Sequence, residues 1–113
     1  MRSLTEKEKQ IVTALIDAGD SKLAYLKKQL LNIRVIEMND GGMGSLLFET
    51  ENSEGRRLGT IVSEAEFTDS DEVLVSITLN LDQNRKLFEL DVWKTDFKKL
   101  SNFPDVEKLR FKN

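Results

Sequence analysis

The hydrophobic period changes once along the chain, at Asn32, and this switch constrains the fold more than any other feature. Before it, apolar residues recur at helical spacing. Ile11, Val12, Leu15 and Ile16 form one stripe, preceded by Thr5 and Glu8 in the T-x-x-E arrangement of a capping box. Gly19 is placed to end that helix in the left-handed conformation. Asp20 then caps a second helix with Leu23, Leu26 and Leu30 turned inward, so residues 1–31 read as a helical hairpin. After Asn32 the period is two. Strands are expected at Ile33–Met38, Leu46–Thr50, Arg57–Phe67, Val73–Leu81 and Leu87–Lys94. Their short links, rich in Gly, Asn, Asp and Ser, favour antiparallel neighbours.

The expectation is an α+β fold: an N-terminal helical hairpin packed on one face of a five-stranded, mostly antiparallel sheet. At 113 residues the chain has the size of one domain, with the hairpin at 1–31, the sheet at 33–94 and a packing segment at 95–113. That segment carries Phe97, Leu100, Phe103, Val106, Leu109 and Phe111 around Pro104, and is expected to fold back on the body as a turn or short helix.

DGGMGS, Asp40 to Ser45, admits a phosphate-cradling loop or a tight turn. The phosphate reading lacks the lysine and Ser/Thr of a P-loop, and the glycines run into an apolar strand rather than a helix. A turn with Gly41, Gly42 and Met43 as its loop sets Met38 opposite Leu46 and Ile36 opposite Phe48, all on one face. The turn is therefore preferred, with an anion nest built on Asp40, Gly41, Gly42, Gly44 and Ser45 kept as its functional variant.

The same reasoning places the core face. A tight turn at Gln83–Asn84 pairs Leu79 with Phe88, Ile77 with Leu90 and Val75 with Val92. A turn around Ser70 aligns Ile61, Ser63, Ala65 and Phe67 with Leu79, Ile77, Val75 and Val73. The opposite face then carries Val62, Glu64, Glu66, Leu74, Ser76, Thr78, Asn80, Leu87, Glu89, Asp91 and Trp93. Glu64, Ser76 and Asp91 should form one cross-strand row, and Glu66, Leu74 and Trp93 the next. Such a surface is either an ordinary solvated sheet face or an adhesive one. In the adhesive reading, Glu64, Glu66, Ser76, Thr78, Glu89, Asp91 and Trp93 bind a basic protein, with tryptophan as anchor and the carboxylates selecting a cationic partner.

Composition removes several chemistries. Without cysteine there is no disulfide, zinc–thiolate site or cysteine nucleophile, and without histidine no Ser-His-Asp triad. A metal site would rest on oxygen ligands and suit magnesium or calcium. No catalytic residue, metal ligand or cofactor is assigned. A net charge of −3 runs against nucleic-acid binding. No segment has the apolar length of a membrane span, and the charged start lacks a signal peptide's apolar core, so a cytoplasmic location is expected. A carboxylate- or Mg/Ca-dependent hydrolase and a homodimer module formed through the same face remain as alternatives.

DGGMGS at 40–45 and LFELDVWKTDF at 87–97, with RSLTEKEKQIV and SITLNLDQNRKLFELDVWK, resemble a bacterial family of uncharacterised small domains. The resemblance runs from Arg2 to Pro104 and implies a small bacterial cytoplasmic domain, with no activity attached. Members often carry glycine in the turn before LFELD, where this chain has Asn84. At the level of architecture alone, a small acidic sheet protein is also similar to immunity proteins that neutralise bacterial toxins.

Overall fold

The computed structural model describes residues 1–50 and 54–112. The middle of the connection before Arg57 and the last residue of the tail lie outside it. Strand β1 (Arg2–Ser3) leads into helix α1 (Glu6–Ala18). The capping box forms as expected: Thr5 Oγ accepts from Glu8 N at 3.1 Å, and the Glu8 carboxylate accepts from Thr5 N at 2.8 Å. Arg2 closes on the same carboxylate through two hydrogen bonds of 2.7 and 2.8 Å, tying β1 to the helix.

Gly19 does not adopt the left-handed conformation. Its backbone is extended, at φ −85°, and a Cβ there would lie 2.9 Å from both Val62 Cγ1 and Val62 O. Glycine is needed because the helix end runs against the sheet. The second limb is shorter than a full helix. Asp20 caps a 3₁₀ turn (Ser21–Leu23) by accepting from Lys22 N, then come α2 (Leu26–Gln29) and another 3₁₀ turn (Leu30–Asn32). The expected inward residues Leu23, Leu26 and Leu30 are buried. With no side-chain cap on α2, the limb is held by this apolar seam rather than by its own hydrogen bonding.

Among the described residues the sheet has seven strands, not five. To β2 (Arg34–Glu37), β3 (Leu46–Phe48), β4 (Leu58–Thr68), β5 (Leu74–Asp82) and β6 (Leu87–Lys94) it adds β1 and β7 (Arg110–Phe111), each two residues long. The order is β1-β2-β3-β6-β5-β4-β7, with every pair antiparallel. The two added strands are too short for a periodic signal. The tail folds back as expected, with a 3₁₀ turn at Val106–Lys108 before β7 and with Leu100, Phe103, Val106 and Leu109 against the core.

Three registers differ from expectation. In the first hairpin Val35 faces Phe48 and Glu37 faces Leu46, a slip of one residue. Val35 is therefore buried, and Ile36 and Met38 are exposed. Both parities of Ile33–Met38 are apolar, so pattern alone could not choose. In the two long hairpins the core registers move by two: Ile77 pairs with Val92 and Ala65, and Leu79 with Leu90 and Ser63. The shift keeps parity, so Ala65, Phe67, Val75, Ile77, Leu79, Leu90 and Val92 are all in the core.

The causes differ: the loop between β4 and β5 sits one residue later than expected, while the loop between β5 and β6 is one residue longer and the bulge between Asn80 and Leu81 adds the second step of the shift. Each hairpin has a three-residue loop, Ser70–Glu72 or Gln83–Arg85, closed by Asp69 N to Val73 O or Asp82 N to Lys86 O. Each loop ends in a left-handed residue, Glu72 at φ 68° and Arg85 at φ 61°. Bulges then reverse parity beyond the centre. Val62 is buried and Ile61 exposed; Leu87 is fully buried and Phe88 only partly. The expected outward Val62 and Leu87, and inward Ile61 and Phe88, are thus exchanged.

Both loops open on a buried aspartate paired with a cation from elsewhere. Asp82 takes Arg56 Nε at 2.9 Å, while Arg56 also donates to the carbonyls of Phe48 and Leu87 and lies over the Phe88 ring. Asp69 takes Lys94 Nζ at 2.8 Å. The two ends of β5 are pinned by these pairs.

Candidate functional site

Seven residues were expected to share the sheet face opposite the helices, and the register brings them together. Glu64, Thr78 and Asp91 form one row across β4, β5 and β6; Glu66, Ser76 and Trp93 form the next. Glu89 pairs with Asn80 on β5 and with Leu47 on β3. The rows differ in membership from expectation because of the two-residue register shift: Thr78 replaces Ser76 beside Asp91, and Ser76 replaces Leu74 beside Trp93.

The carboxylates are not equivalent. Glu66 lies 3.6 Å from the Arg110 guanidinium of β7, which also reaches Thr68 Oγ1. Glu89 accepts from Asn80 Nδ2 at 2.9 Å. Asp91 has no ion pair among the described residues. Burial raises its carboxyl above the ordinary value, and the charge of Asp40 raises it further. Among the described residues no three Asp or Glu side chains gather to hold a metal ion.

Trp93 is 46 % exposed, and the 68 % exposed Phe97 lies against it at 5.9 Å between ring centroids, tilted by 57°. Leu74, across the sheet, is also exposed. Phe97 was not expected here. It has a positive φ of 62° without being glycine, and it follows a turn closed by Phe97 N to Lys94 O at 2.8 Å. No sequence signal marks such a turn.

That turn starts from a buried lysine. The Lys94 ammonium donates to Asp69 Oδ2, to Asp71 Oδ2 at 2.5 Å and to the carbonyl of Lys99 at 3.1 Å. Its pKa is raised, first by Asp69 and then by Asp71. Burial pushes the Asp69 carboxyl up. Hydrogen bonds from Lys94 and from the amides of Ser101, Ser70 and Asn102 outweigh this and hold it at about 2. The cluster fastens the segment after β6 to the sheet. Extending the alternation of Leu90 and Val92 by one step would have found Lys94 on the core side.

The Asp40–Ser45 loop is a turn between antiparallel strands, longer than three residues. Its amides meet an anion of the chain's own: the Asp40 carboxylate accepts from Met43 N at 3.1 Å and Ser45 N at 3.0 Å. Gly41, Gly42 and Gly44 all have positive φ. At Gly44 a Cβ would also stand 3.2 Å from Leu100 and 3.3 Å from Phe103, so the tail's packing needs the glycine as well. Gly42 O accepts from Leu100 N, and Ser45 Oγ bridges both the amide and the carbonyl of Val92.

A family model described as a domain of unknown function, DUF6984, matches residues 1–104. No curated protein and no solved structure matches the chain.

Proposed function

The chain belongs to the DUF6984 family, and we propose that it is a non-enzymatic protein-binding domain that docks a partner on the outer face of its sheet. The observation that carries this reading is the Trp93–Phe97 pair, two large aromatics in tilted contact left exposed beside Asp91 and Leu74. Aromatic anchors ringed by polar groups supply most of the energy of many interfaces. The partner in this reading is basic, because Glu64, Glu66, Glu89 and Asp91 share the face and only Glu66 has a cation at hand among the described residues. An immunity-type inhibitor, which covers a basic toxin surface, is one concrete form.

Capture from a cell lysate with wild-type protein, Trp93→Ala and Asp91→Lys tests the reading. The two variants should lose the same captured partner, and wild-type capture should weaken as salt rises. Identical captured sets for all three proteins at low and high salt would refute it.

A further inference from the structure

β4 is eleven residues long, yet its outer edge is paired by a strand of two. Among the described residues β7 pairs with Ala65 and Glu66, through Phe111 and Arg110. Lys112 N adds a hydrogen bond to Glu64 O at 3.0 Å, and Leu109 anchors the segment in the core. So short a strand holds little pairing energy of its own, while an exposed strand edge is a template for another chain. β7 and the turn before it also lie past residue 104, where the family match ends.

We infer that the Glu64–Thr68 edge of β4 is a docking site for an extended strand of a partner protein, one carrying a basic residue opposite Glu66 between apolar residues. β7 is an intramolecular occupant that must leave before the partner binds. The occupant displays the chemistry. In Leu109-Arg110-Phe111-Lys112 apolar and basic residues alternate. Phe111 pairs with buried Ala65 while its own ring stays 39 % exposed, Leu109 is the buried member, and Arg110 pairs with Glu66 on the acidic face. A guest running antiparallel with that alternation places its apolar side chains toward the core and its cation toward the carboxylates. Towards Val62 the edge is closed by the end of α1, where Gly19 lies against the Val62 carbonyl, which confines the guest to the Glu64–Thr68 stretch. The inference rests on the protein-binding role and adds the partner's contact segment and its competition with the tail.

The test uses the full chain with its tail loosened by Lys112→Pro, which removes the donor to Glu64, together with Leu109→Ser. The probe is a fluorescent peptide with the sequence of residues 105–112, followed by anisotropy. A tethered segment competes at an effective concentration on the order of millimolar, so the loosened chain should bind the peptide at least roughly tenfold more tightly than wild type. Glu66→Lys in the loosened chain should weaken binding by roughly fivefold, and a peptide with glutamate at the Arg110 position should recover it. If Leu109→Ser prevents folding, judged by a thermal melt, Lys112→Pro alone serves. Equal binding by loosened and wild-type chains, or indifference to Glu66→Lys, would overturn the inference. Trp93→Ala should leave peptide binding intact, so loss of the aromatic docking face and loss of strand docking are read separately.

Discussion

Neutralising Asp69 should remove a defined, pH-dependent share of the protein's stability. The carboxylate is buried, pairs with Lys94 Nζ at 2.8 Å and accepts the amides of Ser70, Ser101 and Asn102. Its pKa falls from the ordinary 3.8 to about 2. At about 1.4 kcal/mol per tenfold change in proton affinity, that difference corresponds to roughly 2 kcal/mol. A depressed folded-state pKa fixes the sign. The contribution is fully present above the unfolded value of 3.8 and disappears as pH falls through about 2. Other carboxylates also lose stability in acid, Glu8 and Asp82 among them, so wild type alone cannot isolate the effect. Urea unfolding of wild type and Asp69→Asn can. The wild-type advantage should shrink by about 2 kcal/mol between roughly pH 6 and pH 2, about 1 to 2 M in urea midpoint for a domain of this size. Parallel pH profiles for the two proteins would show that Asp69 is not held as a buried anion, and the account of the Lys94 cluster would fail.

Two further outcomes follow from named contacts. Gly19→Ala should lower stability by about 1 to 3 kcal/mol in chemical denaturation, because the new methyl would meet the Val62 backbone carbonyl at 2.9 Å although φ is ordinary for any residue; an unchanged midpoint would mean the helix end can move. In an NMR titration the Asp91 carboxyl should titrate above 3.8, and Asp40→Asn should bring it down without restoring the ordinary value, since burial is the larger cause.

The fold class and most of the core were readable because they depend only on parity. Ala65, Phe67, Ile77, Leu79, Leu90 and Val92 are buried although their pairing partners moved, since the net shift of two in each long hairpin returns each side chain to its face. Positions beyond the bulges, such as Ile61 and Leu87, were not readable, because one extra residue reverses parity and Asp-Gln-Asn-Arg-Lys does not announce a left-handed arginine. The site shows the same division. The seven outward residues share a face as alternation requires, whereas Phe97 and Arg110 reach it by tertiary folding of the tail.

The buried cluster and the exposed aromatic pair are two sides of one strand end. On β6, Trp93 and Lys94 are consecutive, so one must face out and the other in. Lys94 is held by Asp69 and Asp71, and its carbonyl accepts the amide of Phe97, closing the turn that lays Phe97 on Trp93. Thr95 is fastened to the neighbouring strand through Leu74 O. The turn's strained residue, Phe97 at φ 62°, keeps its conformation because both its flanks are anchored: Lys94 in the core, and Lys99 by its carbonyl on the Lys94 ammonium. A lysine in the core at this point is costly unless fully paired. Its pairing organises the turn that presents the aromatics, which gives a physical reason for an ion cluster where an apolar residue would pack with less desolvation.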